Sequence, residues 1–406
     1  MSAVKPWPVI NPDRARDGAI ITAVRDGLTQ AFPTGLRAVV LTGSLARGEG
    51  TWLHDQAGAR LAGDAEFFAI FADGIALPAA ARVAALRQAC ETQLRVNRIE
   101  AKIGVSPVGP AYLRRLRPHI FACELLQHGQ VICGDRRVLE LAPPFAITAI
   151  PLEDGLRLLM NRMIELLEAV CAAPLGRDVE LPERVRHSAA KLWLDTATSY
   201  LLFQGRYETT YRARGRRLAQ SLAAGLATPI DAASFAARVT VATRWKLGED
   251  AAVPTVTVDD LVTQVGAVRA LWRWELDRLN PTGGASDDGE LMRRWSAGQP
   301  LAARVRGWAA AVKRHGVVAS FGRLPRWAVR VRAGSPRYLI YAAASELFFT
   351  LPAILGPDAP AARPSSWIHV TRRLPVVERG AADGAWRGVG AAIAWNYHRF
   401  LEDTRA

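Results

Sequence analysis

Two stretches decide the reading of this chain: Leu36-Arg37-Ala38-Val39-Val40-Leu41-Thr42-Gly43-Ser44, and further on Gly63-Asp64-Ala65-Glu66-Phe67-Phe68-Ala69-Ile70-Phe71. The first is an apolar, β-branched run that stops abruptly at a Gly-Ser pair, as a short buried strand followed by a tight turn would. The second is apolar except for two carboxylates placed two residues apart. Side chains on a strand alternate between faces, so Asp64 and Glu66 point the same way, about 7 Å apart along the backbone. Two acids at the head of an apolar strand repel each other. A divalent cation between them removes that cost, and Mg²⁺ takes carboxylate and phosphate oxygens. Glycine lets a backbone approach phosphate closely, and turn amides with a serine hydroxyl bind anions.

Strand, Gly-Ser turn, short helix and a strand bearing Asp-x-Glu together resemble the DNA polymerase β superfamily of nucleotidyltransferases, in particular its minimal and kanamycin-type members. The resemblance covers residues 36–105 and, more loosely, extends to Asp135. The gap from Ser44 to Asp64 is longer than is usual there, and its excess, Trp52 to Arg60, reads as a loop insertion. The resemblance implies an α/β N-terminal nucleotidyltransferase domain with a small mixed sheet. It also implies two Mg²⁺ ions, with Mn²⁺ as the alternative, roughly 3.5 to 4 Å apart. In that superfamily a third acid on the neighbouring strand serves as metal ligand or general base. Glu100, the only acid in Ile99-Glu100-Ala101-Lys102-Ile103-Gly104-Val105, takes that part by position; a surface pair with Lys102 is the competing reading. Asp64, Glu66 and Glu100 are thus the expected catalytic and metal-binding residues. Gly43 and Ser44 are expected to cradle the β and γ phosphates, with Arg47 near the triphosphate unless Arg47-Gly48-Glu49 is an ordinary surface turn.

Working outward, residues 13–32 carry Ile20, Ile21, Val24 and Leu28 at helical spacing, and residues 78–94 carry Val83, Leu86 and Cys90 on one stripe. Residues 110–128 read as helical, kinked or split at Pro118, and Val131-Ile132-Cys133 as a last short strand. Strands and helices alternate to about residue 140, which fits an α/β domain over 1–145. After Pro143-Pro144 the pattern is helical throughout: 152–171, 184–203, 258–279, 301–315, 338–351 and 386–401. Pro281 to Gly289 reads as a linker, dividing an all-α region into 146–280 and 290–406. Lys191 stands out in a chain with five lysines among its 52 basic residues. It shares a helix face with Asp195. In several superfamily members a lysine of the helical region reaches the nucleotide phosphates, so Lys191 is a nucleotide-binding candidate beside the plainer salt bridge. Asn161, Arg162 and Tyr207 are lesser candidates of the same kind.

The net charge of +14 suits a triphosphate without identifying a polymer, because no basic run or aromatic RNA-binding motif accompanies it. Four scattered cysteines read as buried thiols in a reducing cytoplasm, and the first residues lack the apolar run of a secretory signal. Residues 338–355 approach membrane-spanning length, but Ser345, Glu346 and Pro352 interrupt them and favour a buried helix. The arginines nearby (Arg323, Arg326, Arg330, Arg332, Arg337) leave peripheral contact with an anionic membrane over 323–355 as a lesser expectation. No Walker loop, Gly-x-Ser-x-Gly elbow or histidine metal spacing is present. The reading is therefore a Mg²⁺-dependent, cytoplasmic nucleotidyltransferase. It would move a nucleoside monophosphate from a nucleoside triphosphate, ATP favoured, to an acceptor hydroxyl and release pyrophosphate. A small molecule or protein is favoured as acceptor over nucleic acid. The alternative is a non-catalytic nucleotide-sensing or partner-binding module on the same fold.

Overall fold

The strand expected at Leu36–Thr42, β1, lies inside a five-stranded mixed sheet in a computed structural model that describes residues 12–56, 58–173, 180–250, 252–280, 287–315, 324–355, 367–376 and 385–404. The long strand β3 (Gly58–Phe71) organises the sheet. On it, β2 (Trp52–Asp55) and β1 pair antiparallel with successive stretches, and β4 (Ile99–Val108) pairs parallel. On the far side of β1, β5 (Gln130–Gly134) pairs antiparallel.

Alternation along β3 sets the layers. Ala65, Phe67, Ala69 and Phe71 face a core shared with Ile20, Val24 and Leu28 of α1 (Pro12–Ala31) and Val83, Leu86 and Leu94 of α3 (Ala80–Val96). Phe68 and Ile70 face the opposite core, with Leu113 of α4 (Pro110–Arg114) and Ala122 and Leu125 of α5 (Ile120–His128). The chain breaks between α4 and α5 around Pro118, and the His119 Nδ1 restarts it by accepting from the Ala122 N–H at 2.8 Å.

One expectation is corrected. Residues 52–60 are a β-hairpin rather than a loop, with Trp52 opposite Leu61 and both buried in the α1–α3 core. Trp52 Nε1 also donates to Asp17 at 3.0 Å. The turn needs Gly58, at φ +147°, because a Cβ there would lie 2.2 Å from the Arg98 carbonyl oxygen.

The chain divides into two compact units. One contains the residues up to Pro151 with Glu208–Arg214 and Thr243–Ala252; the other contains Leu152–Tyr207, Gly215–Ala242 and the residues from Val253 onward. The secondary-structure elements described in the second unit are helices. At its centre α6 (Leu152–Ala172) buries Leu156, Leu159, Met160, Met163, Leu166 and Leu167. α7 (Glu183–Phe203) packs against it, as do helices Pro336–Phe348 and Trp386–Thr404. α8 (Tyr211–Ala223), α9 (Ala232–Lys246) and α10 (Val258–Leu279) follow in the chain, and α10 opens on a Thr257–Asp260 capping box. Of the expected linker Pro281–Gly289, residues 281–286 lie outside the described residues, and its last residues instead open the helix Asp288–Gly298, capped by Asp287.

The apolar stretch Pro336–Leu355, of mean hydropathy 1.5, is the one segment of the described residues long and apolar enough to cross a membrane. It is 67% buried and broken into Pro336–Phe348 and Leu351–Leu355. Of the arginines near it, Arg330 is itself buried and donates to the Leu374 and Arg372 carbonyls, while Arg323 and the Arg326 side chain lie outside the described residues.

One titrating group sits within the helical core. Glu275 on α10 is fully buried and accepts from Ser199 Oγ at 2.5 Å, and burial pushes its carboxyl up to about 8. The folded state therefore binds a proton that the unfolded chain, with an ordinary carboxyl, has released. This contribution is complete at low pH and is lost as pH rises from about 4.5 towards 8. Glu275→Gln keeps the acceptor for Ser199 and removes the titration. Urea unfolding should find the variant more stable at pH 7, by an amount on the order of 3 kcal/mol, and should find the gap closing as pH falls to 4.

Candidate functional site

The Gly-Ser turn and the carboxylate strand meet. Thr42, the last residue of β1, stands opposite Glu66, and Gly43 opens the single-turn helix α2 (Gly43–Ala46) at φ +71°. A Cβ on Gly43 would lie 2.6 Å from Glu66 Oε2, so the absence of a side chain makes room for this carboxylate. Asp64 and Glu66 are both exposed and share the sheet face of Phe68 and Ile70. Ser44, half-buried, holds the following turn by accepting the Glu49 N–H on its carbonyl at 2.9 Å.

Glu100 is on the same face of β4, but not beside the pair. It stands opposite Arg60, whereas Lys102 stands opposite Asp64 and Gly104 opposite Glu66. Between Arg60 and Asp64 the strand β3 advances four residues while β4 advances two, and this bulge brings Lys102 level with Asp64. Lys102 Nζ lies 3.4 Å from Asp64 Oδ2. Among the described residues no group of three His, Cys, Asp or Glu side chains converges as a metal site. Asp64 and Glu66 fit an oxygen-preferring ion held by two carboxylates and completed by water or phosphate, the usual manner for Mg²⁺. Glu100 does not complete that set. The parallel register and the bulge are long-range features, so the sequence carried no signal for Lys102 at this place.

Arg47 is committed elsewhere. Its guanidinium, buried, donates to Glu49 at 3.2 Å and to Glu124 at 2.5 Å, and lies 5.3 Å from the centre of the Tyr211 ring. Arg214 binds the other oxygen of Glu124 and lies 4.8 Å from the same ring, while Lys246 Nζ lies 5.6 Å from it and donates to Thr51 at 3.0 Å. The Glu49 carboxylate also caps the start of α8, accepting the Tyr211 and Arg212 N–H groups at 2.9 and 3.0 Å. His128 at the edge of this cluster hydrogen-bonds Thr209 at 2.8 Å, and burial and then the Arg47 guanidinium push its imidazole below the usual value. Arg47, expected near the triphosphate or else in an ordinary surface turn, thus stands in an interior ion network.

Lys191 lies half-buried on α7 in the second unit. Its expected partner Asp195 is buried and held by Arg162, which also bonds Glu165. Asn161 accepts from Tyr341 at 2.7 Å, and Tyr207 is buried. Arg162, Asp195 and Asn161 are thus engaged in contacts between helices. No protein-family model and no curated protein sequence matches the chain.

Two measurements separate the roles assigned to these charges. Glu124→Ala takes a carboxylate from two buried guanidinium groups, leaving Arg47 with Glu49 and Arg214 with backbone carbonyls, so denaturant unfolding should show a loss of about 3–5 kcal/mol. An unchanged midpoint would mean that the network contributes nothing to stability. Lys102→Met removes an exposed pair worth about 0–1 kcal/mol, so the melting temperature should hold. Mn²⁺ titrated in calorimetry should bind more tightly to this variant, because the ammonium no longer competes for Asp64.

Proposed function

We propose that the edge formed by Gly43, Ser44, Asp64 and Glu66 binds a nucleoside triphosphate with Mg²⁺ and transfers its nucleoside monophosphate to an acceptor hydroxyl. The observation that carries this reading is the contact of Gly43 with Glu66: a positive-φ glycine at a strand-to-helix turn placed against one of two carboxylates that share a face. A phosphate chain and a carboxylate-bound cation need that arrangement, an open backbone beside paired acids. Asp64 and Glu66 would hold the ion, which neutralises phosphate charge and orients the chain. The Gly43–Ser44 turn would take the terminal phosphates. Attack of the acceptor oxygen on the α-phosphorus would break the bond to the β-phosphate bridge and release pyrophosphate. Glu100, two positions before Lys102 on the same face, is the carboxylate left to take the acceptor's proton. ATP is favoured as donor, and a small molecule or protein as acceptor.

The pairing of Lys102 with Asp64, where a third acid would stand, favours a second reading: a module that binds nucleotide without turnover. Labelled nucleoside triphosphates with Mg²⁺ and a metabolite extract separate the two. Label transfer with pyrophosphate release supports the enzyme, whereas tight, metal-dependent binding with no pyrophosphate supports the sensor. Binding indifferent to metal would sink both.

Glu66→Gln keeps size and hydrogen bonding but loses the charge that compensates Mg²⁺. Transfer activity should fall at least about a hundredfold, comparable to removing one strong electrostatic contact in an active site. Without metal the melting temperature should hold or rise, since two like charges no longer share a face. Mg²⁺ and nucleotide together should raise the melting temperature of the wild type more than that of the variant. An unfolded variant whose remaining folded fraction is fully active would make Glu66 structural.

A further inference from the structure

The second unit holds a cavity of about 630 Å³ that the proposed transfer site does not use. Its volume lies within the range typical of small-molecule sites. Met292, Leu339 and Phe349 supply apolar wall, and the Phe349 ring is backed by Trp272 at 4.9 Å between centroids. The polar lining is unbalanced: five arginines against three carboxylates, a formal excess of two positive charges.

The carboxylates are also shared. Asp288 is bonded by both Arg269 and Arg273, and Glu346 by both Arg373 and His369. Arg372, exposed at the lining, makes no ion pair among the described residues. Arg330 is fixed by two backbone carbonyls, so its charge is held in place at the wall rather than swung out to solvent. Ser296 is the second, independent sign. It is 2% exposed, it lines the cavity, and its hydroxyl has no hydrogen-bond partner among the described residues. A buried hydroxyl is ordinarily paired. An occupant of the cavity would supply the partner.

We propose that this cavity is a binding site for a small anionic ligand that carries an aromatic or apolar portion. Its anionic group would be met by Arg372 and the fixed Arg330, its apolar portion by Met292, Leu339 and Phe349, and Ser296 Oγ would hydrogen-bond a polar atom of the ligand. A carboxylate, a phosphate ester and a sulfonate share this chemistry.

The test uses the full chain and 8-anilinonaphthalene-1-sulfonate, an aromatic anion of suitable size whose fluorescence reports burial. The wild type should bind it saturably with one site per chain. Arg372→Ala, which removes no native ion pair, should weaken binding at least about fivefold. Ala342→Phe, which fills the cavity from its half-buried wall, should abolish it. Arg332→Ala, an exposed arginine that does not line the cavity, should leave it unchanged. Circular-dichroism melts confirm that each variant is folded. Competition by phenyl phosphate but not benzoate would identify a phosphate-bearing ligand, and the reverse a carboxylate; either supports the site. Non-saturating fluorescence, no binding, or equal affinity in all three variants overturns it. None of these readouts involves metal or nucleotide, so the outcome is independent of the transfer reading.

Discussion

The first unit depends on a pair of interior carboxylates. Glu124 is clasped by Arg47 and Arg214, and Glu49 by Arg47 and the first amides of α8. Removing such ions from water costs several kcal/mol each, and mutual attraction offsets this only where geometry and hydrogen bonding are nearly complete. Both oxygens of each carboxylate are engaged here, and the Tyr211 ring faces three cations. The pieces come from four places in the chain, residues 47–49, 124, 211–214 and 246, and the network holds them together. The consequence for the site is direct. Arg47 and Glu49 follow the Gly43–Ser44 turn within five residues, so the network that fixes them also fixes where that turn can lie against Glu66.

Local patterns were legible where one physical rule dominated. β1 is a β-branched run stopped by a glycine, α10 carries its own capping box, and the alternation around Ala65 and Phe67 announces which side of β3 is buried. Pro118 correctly signals a break, since no helix continues smoothly through the residue that precedes a proline. The hairpin at 52–61 was less visible because its signals are long-range. Trp52 gains its burial against Leu61 and α1, and Gly58 is required by the approach of Arg98, forty residues later.

The same distinction explains the site. Asp64, Glu66 and the glycine that faces Glu66 lie within 24 residues, and strand alternation alone puts both acids on one face. Glu100 depended on the register of a parallel pair, and a bulge in β3 hands the place beside Asp64 to Lys102 instead. The surroundings of Arg47 were illegible for a different reason. Its partners Tyr211, Arg214 and the neighbouring Lys246 lie 164 to 199 residues downstream, and nothing near Arg47 in the sequence shows that an exposed-looking turn is interior.

Two groups of buried polar atoms, one in each unit, are handled differently. In the first, the interior ions are paired oxygen by oxygen. In the second, Glu275 Oε2, Trp272 Nε1, Trp295 Nε1 and Ser296 Oγ are buried and have no hydrogen-bond partner among the described residues. Unpaired buried groups of this kind weaken a fold, by about 1–3 kcal/mol each. Their distribution is uneven. Trp272 packs against Phe349 at a tilt, Ser296 lines the same cavity as Phe349, and Trp295 is the residue before Ser296 on the helix Asp288–Gly298. A helical core that needed only stability would carry apolar residues at these places. Of these atoms, Ser296 Oγ is the one whose residue lines the arginine-rich cavity, where under the proposal above a bound ligand would complete its hydrogen bond.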